Sequence, residues 1–150
     1  MSLAQRLEED LRRSLRAGDA LRVSTIRLAR AAIHNAEIER GRPLDEEEIQ
    51  EILAREMKRR REAIDAFARG GRDDLVHKES LELAILAEFL PKPLTEDELR
   101  TLVKEAIVQV QAKDTRDLGR VMAVMMPKVK GRAEGEAVTR LVREQLTKRR

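Results

Sequence analysis

The sequence lacks cysteine, tryptophan and tyrosine altogether and has only two phenylalanines among its 150 residues. Without cysteine, the chain can form no disulfide, no thiolate metal site and no cysteine nucleophile. Its apolar volume comes from leucine, alanine, isoleucine, valine and methionine, which suit helix packing better than sheets, because sheets favour β-branched and aromatic side chains. The composition therefore predicts an all-α protein.

Long apolar runs are also missing. The N-terminal stretch MSLAQRLEEDL is charged within its first turns, and no segment approaches the roughly 20 apolar residues that a membrane span needs. From these absences we expect neither a secretory signal nor a membrane segment, and we predict a cytoplasmic protein.

Positive charge is concentrated towards the end of the chain. The formal net charge is +3, but residues 1–90 carry 17 lysines and arginines against 19 acidic residues, whereas residues 91–150 carry 14 against 9. An excess of this kind predicts that the C-terminal part attracts an anionic partner.

Seven helices are predicted from the spacing of apolar residues and from capping and stop signals. They cover residues 2–18, 19–41, 45–70, 73–91, 96–112, 117–126 and 134–148. The sixth is expected to end before Pro127, because proline lacks the amide hydrogen that a helix interior uses. Pro91 and Pro93, followed by the capping box Thr95 to Glu98, mark the clearest boundary. We predict a four-helix N-terminal subdomain, residues 1–92, and a three-helix C-terminal bundle, residues 93–150.

Catalytic and metal-binding constellations are scarce. The chain has two histidines, His34 and His77, and neither has a neighbouring nucleophile. His34 and Glu37 share a helical face, but two ligands are too few to predict a metal site. The basic run Lys58–Arg61 is flanked by Glu56 and Glu62 and is spread around the circumference of its helix, which disfavours a binding patch. We therefore predict no catalytic residue, metal or cofactor.

The segment MPKVKGRAEG, residues 126–135, is the most informative. Lys128, Lys130 and Arg132 make it basic, Gly131 permits close backbone approach, and the positive end of the next helix follows. The spacings of a Walker loop and of a dinucleotide fingerprint are absent. The segment predicts a phosphate-binding loop, with a solvated interhelical turn as the alternative.

Three stretches, RLEEDLRRSLRAGDALRVSTIRLARAAIHNAEIERGRPLDEEEI, LAEFLPKPLTEDEL and DLGRVMAVMMPKVKGRAEGEAVTRLVREQL, together resemble the YqeY family over essentially the whole length. That family comprises stand-alone relatives of the C-terminal tail of GatB, the amidotransferase subunit that contacts tRNA. The resemblance implies two all-helical subdomains and a link to aminoacylated tRNA. Carried onto this sequence, it implies these nucleic-acid-binding residues: Lys128, Lys130, Gly131 and Arg132, with Gly119 and Arg120 as neighbours.

Our leading hypothesis is an accessory tRNA-binding module, with tRNA and a protein of translation or tRNA amidation as expected partners. The alternatives are a component of a glutamine-dependent carbon–nitrogen ligase complex, that is, an aminoacyl-tRNA amidotransferase, and a helical protein-interaction adaptor. The amidotransferase subunit has a large catalytic portion ahead of its tail, for which 150 residues leave no room. We therefore expect no enzymatic activity from the isolated chain.

Overall fold

The computed structural model describes residues 1–148, and within that range the chain forms seven α-helices, one short 3₁₀ helix and no strand. The helices are α1 (Leu3–Ala17), α2 (Ala20–Arg40), α3 (Glu46–Arg69), α4 (Asp73–Ala87), α5 (Glu96–Val110), α6 (Leu118–Val129) and α7 (Gly135–Thr147); the 3₁₀ helix, Thr115–Asp117, precedes α6. The prediction of an all-α protein is confirmed.

Capping boxes begin three of the helices. In each, the N-cap side chain accepts a hydrogen bond from the amide three residues on, and the side chain there accepts one from the N-cap amide. The pairs are Ser2 with Gln5, Asp45 with Glu48, and Thr95 with Glu98. Helix α4 differs from the prediction, because it begins behind Arg72 without a side-chain cap and ends at Ala87 rather than near Pro91.

Residue contacts divide the structure into two compact units, Met1–Pro91 and a second that begins at Lys92. The first unit packs α1 to α4 around an aliphatic core that includes Leu7, Ile26, Leu53 and Leu86. The second packs α5, α6 and α7 around a core that includes Val103, Val121, Met125, Val138 and Leu141.

A buried ion pair joins α3 to α4 within the first unit. Arg60, the one member of the run Lys58–Arg61 that is buried, donates from Nη1 to Glu82 and, at 3.2 Å, to Glu79. Its three neighbours in the run are exposed, as expected for consecutive residues on a helix. Arg60 therefore has a structural role, because a buried guanidinium requires its carboxylate partners.

Helix α6 continues past the residue predicted to stop it. It runs through Pro127 to Val129, so the prediction of an end before Pro127 is wrong. A proline in the last turn deprives mainly the carbonyl of Ala123 of its partner. Val129 is fully buried, and the Lys130 amide donates to the Met126 carbonyl at 3.0 Å. Burial of Val129 thus stabilises the final turn despite the proline.

The turn between α6 and α7 is tied to the segment before α5. Gly131 has φ of 78°, in the left-handed region. The Arg132 amide donates to the Val129 carbonyl at 2.8 Å, and the Arg132 carbonyl accepts from the Leu94 amide at 2.8 Å. These hydrogen bonds fix the path of the chain into α7.

Replacing Arg60 should expose how much the α3–α4 ion pair contributes. We expect Arg60→Met to lower the free energy of unfolding by about 3–5 kcal/mol, because Glu82 is left buried without its partner. Urea unfolding followed by circular dichroism measures this. Arg59→Met is the matched control, since that side chain is 70% exposed, and should change stability by less than about 0.5 kcal/mol. Equal effects of the two substitutions would contradict the structural role of Arg60.

Two glycines of the second unit should respond to alanine with opposite signs. Gly131→Ala should lower the unfolding free energy by about 1–2 kcal/mol, because the left-handed conformation is less favourable by that amount for an L-residue. Gly119 lies in the first turn of α6, and a methyl group added to its Cα would meet no atom within 4 Å, so Gly119→Ala should raise stability by up to about 1 kcal/mol. Thermal unfolding of the two variants decides, and a change of the same sign in both would refute the expectation.

Candidate functional site

The six predicted site residues fall into two groups at opposite ends of α6. One group lies in the last turn of the helix and the turn that follows: Lys128, Lys130, Gly131 and Arg132. Gly119 and Arg120 lie in the first turn. At 1.5 Å per residue, Arg120 and Lys128 are about 12 Å apart along the axis. The structure brings four of the predicted residues together and separates the other two.

Arg132 stabilises the turn that follows α6. Its Nε donates to the Lys92 carbonyl at 3.2 Å, while its own carbonyl is bonded to Leu94. Lys128, by contrast, is exposed and forms no ion pair within residues 1–148. The guanidinium of Arg132 thus uses one donor within the fold, and Lys128 is more available to a ligand.

Acidic residues occupy the helix start that was predicted to receive phosphate. Glu134 is the N-cap of α7 and makes no side-chain capping bond, and Glu136 lies in the first turn. Carboxylates at the positive end of a helix interact favourably with the same dipole that would attract an anion. Nucleic-acid binding by this loop stays a prediction that the geometry does not test.

Arg120 connects the start of α6 to the end of α5. Its Nη1 lies 3.2 Å from Oδ1 of Asp117, and its Nη2 donates to the Val110 carbonyl. The Lys113 amide and then the Arg120 guanidinium hold the pKa of Asp117 below its ordinary value. These hydrogen bonds hold the start of α6 against the end of α5, so Arg120 has a structural role.

An open groove of about 730 Å³ lies between α6 and α7. It is lined by Met122, Met126, Gly135, Glu136, Thr139, Arg140 and Arg143, and we call it the α6–α7 groove. Met126 is 37% exposed. Met122 is half-buried, and its sulfur lies 3.9 Å from Oγ1 of Thr139, a hydroxyl that donates to the Gly135 carbonyl at 2.9 Å. The α6 wall of the groove is therefore apolar, whereas the α7 wall contains polar and charged side chains.

The core pattern of α6 places the two methionines in this groove. Val121, Met125 and Val129 recur every four residues and are fully buried. Met122 and Met126 each follow a buried residue by one position, which turns them about 100° around the helix. Met122 also packs against the core, whereas Met126 is exposed. Their i, i+4 spacing, offset from the core stripe, is the signal that sequence reasoning missed.

The α7 wall carries two arginines in different states. Arg140 Nη2 lies 3.1 Å from Oε1 of Glu96, which is also 3.5 Å from Arg100. Arg143 is exposed and forms no ion pair within the described residues. The groove therefore presents a positive charge that forms no ion pair with the described residues of its unit.

A second, smaller pocket lies in the first unit, and charged side chains that line it form ion pairs with one another. Arg22 donates from Nε to Asp10 at 3.0 Å and from Nη1 to Glu88 at 2.7 Å, while Arg6 donates to the Glu88 carbonyl at 3.0 Å. The hydrogen bond from Arg22 holds the pKa of Asp10 below its ordinary value of 3.8. Arg6 also lies over the Phe89 ring, 5.4 Å from its centre. These charges attach the end of α4 to α1 and α2.

His34 and Glu37, the two residues considered as metal ligands, are not part of a metal site among the described residues. His34 is exposed, and Oε2 of Glu37 accepts from the Leu44 amide at 3.0 Å. Residues 1–148 contain no group of three or more histidine, cysteine or acidic side chains arranged to hold a metal ion. Over the same residues, no helix has the length and apolar character needed to cross a membrane.

Comparisons with known proteins identify relatives along nearly the whole chain. The family model of YqeY-like proteins matches residues 4–146. Three similar curated proteins share the name "Altered inheritance of mitochondria protein 41, mitochondrial". The protein of Pyrenophora tritici-repentis is 30% identical over 93% of this chain and 78% of its own length. The protein of Kluyveromyces lactis is 32% identical over 71% of this chain and 63% of its own length. The protein of Eremothecium gossypii is 40% identical over 56% of this chain and 46% of its own length. The match thus spans about half of the Eremothecium relative.

Two predictions are wrong on these comparisons. The relatives are named for the inheritance of mitochondria, which overturns the hypothesis of an accessory tRNA-binding module related to an amidotransferase. They are also named as mitochondrial proteins, which overturns the prediction of a cytoplasmic protein. Net positive charge attracts any anionic partner, and a charged N-terminal stretch does not define a compartment, so neither signal was specific.

The resemblance on which the family prediction was based is confirmed. The family model covers all but the ends of the chain, and the Pyrenophora relative aligns along 93% of it. The chain belongs to the YqeY family.

Proposed function

We propose that this protein is a helical protein-binding module whose α6–α7 groove receives a helix of a partner protein. The observation that carries the proposal is the pair Met122 and Met126, which forms the apolar wall of an open groove on an otherwise well-packed unit. The relatives' shared name specifies no ligand, so the groove itself supports the proposal.

Apolar surface on α6 extends beyond the groove wall. Ala123 and Pro127 are exposed beside Met126, and α6 contains three of the five methionines of the chain. Residues three and four positions apart are neighbours on a helix surface, so Ala123, Met126 and Pro127 form one exposed apolar strip. Removing such a strip from water favours association with an apolar partner surface.

A helix is the partner element that fits these walls. Both walls are helices, whose backbone groups are bonded within the helix, and residues 1–148 include no strand whose edge could pair with an extended peptide. Neither wall can therefore offer backbone hydrogen bonds to a bound segment, which favours a segment that satisfies its own. An amphipathic helix laid into a groove meets this requirement.

Methionine suits such a surface. Its unbranched, polarizable side chain adapts to the shape of the group packed against it. Met122 and Met126, four residues apart, lie about 6 Å apart along α6, which is close to one helical turn of a partner. Apolar side chains at i and i+4 of a bound helix can therefore contact both methionines.

Selection from a display library of amphipathic helical peptides tests the function. Peptides enriched on the full-length chain should bind Met126→Glu at least about 10-fold more weakly, because a carboxylate would be desolvated in the apolar wall. Affinities are measured by fluorescence anisotropy.

Val108→Glu is the matched control, since Val108 is a 66% exposed apolar residue of α5 in the same unit but outside the groove lining. It should leave the affinities unchanged. Failure to enrich any helical peptide, or equal affinity for wild type and Met126→Glu, would refute the proposed function.

A further inference from the structure

We infer that the helix that binds in the α6–α7 groove is acidic along the edge that faces α7, with apolar residues against α6. This inference rests on the proposed function and adds the charge of the partner. It follows from the distribution of charged side chains around the groove.

The α6 side offers no negative charge. Along Leu118–Val129 the charged side chains are Arg120 and Lys128, and no acidic residue occurs. Arg120 is held by Asp117 and the Val110 carbonyl, whereas Lys128 is exposed and without an ion pair within residues 1–148. An anionic partner therefore meets no acidic side chain along this helix.

The α7 side is positive where the groove passes Arg140 and Arg143. Glu136 is the acidic residue of the lining and lies in the first turn of α7, one and two turns before the arginines. Arg143 has no carboxylate partner within the described part of the chain. Arg140 pairs with Glu96, but both side chains are at least half exposed, at 60% and 51%. Exposed pairs of this kind contribute little to stability, so a partner carboxylate can replace Glu96 at small cost.

Other acidic residues near these arginines already have cationic partners. Glu144 lies 3.1 Å from Lys148 and 3.8 Å from Arg100, and the hydrogen bond from Lys148 is the main cause that lowers its pKa. Glu96 is shared between Arg100 and Arg140. Arg143 is therefore the groove arginine that the described residues leave without an ion pair.

The spacing of the groove residues defines the pattern that the partner helix needs. Met122 and Met126 call for apolar side chains four residues apart. Arg140 and Arg143 are three residues apart on one face of α7, about 4.5 Å along its axis. Carboxylates three or four residues apart on the adjoining face of the partner match that spacing. An apolar-and-acidic helix satisfies both walls at once.

The test uses three labelled helical peptides that share one apolar face and differ in the adjoining face, which is glutamate-rich, glutamine-rich or lysine-rich. Anisotropy titrations with the full-length chain should give an affinity order of glutamate, then glutamine, then lysine. We expect about a 10-fold preference for the glutamate peptide over the glutamine peptide at about 50 mM salt, shrinking at about 500 mM as the charges are screened.

Arg140→Gln/Arg143→Gln should reduce the affinity for the glutamate peptide to that for the glutamine peptide and leave the latter unchanged. Lys104→Gln/Lys113→Gln is the matched control, because it removes two exposed positive charges from the same unit away from the groove. It should preserve most of the preference.

The outcomes separate the two proposals. If the glutamine and glutamate peptides bind equally and both depend on Met126, the groove binds helices and the charge inference is wrong. If no peptide binds, the proposed function fails as well. An equal loss in the control variant would assign the preference to the overall charge and overturn the inference. Stronger Met126-dependent binding of a uridine oligonucleotide or of anionic phosphatidylglycerol vesicles would also overturn it.

Discussion

Helix α6 has more apolar surface than the second unit can bury, and the groove is a consequence of that constraint. Val121, Met125 and Val129 fill the core and thereby fix the rotation of the helix about its axis. Once that stripe is buried, Met122 and Met126 must lie at its edge, where they line the groove. The same burial carries the helix through Pro127 and so determines where the turn into α7 begins. Core packing and the candidate site are therefore two results of one arrangement.

The arginines of this chain have different roles in the structure. Arg60 is buried against two carboxylates, Arg22 joins α2 to α1 and to the end of α4, and Arg132 supports a turn. Arg143 is exposed and has no ion pair within residues 1–148. A cation is available to a partner only where its own unit supplies no acceptor. Counting basic residues along the chain therefore overestimates the charge that a partner meets.

Local signals in the sequence predicted much of the fold. The scarcity of aromatic residues and the apolar spacing gave an all-α protein, and the Thr95 to Glu98 capping box gave the start of α5, because caps depend on neighbours three residues apart. The end of α6 was missed because it depends on burial of Val129 against other helices. The groove was missed for the same reason, since Met126 and Arg143 come together only when α6 and α7 pack. The choice of tRNA failed because it was drawn from the resemblance to the amidotransferase tail, and relatedness in fold does not determine which partner is bound.

The most direct measurement of groove binding uses the methyl groups of the methionines as probes. The chain has five: Met1, Met57, Met122, Met125 and Met126. In a carbon–proton correlation spectrum of methyl-labelled protein, saturation with the glutamate-faced helical peptide should shift the Met122 and Met126 signals while the Met57 signal, from the first unit, stays in place. Unchanged Met122 and Met126 signals at a peptide concentration that saturates binding would contradict the assignment of the α6–α7 groove as the binding site.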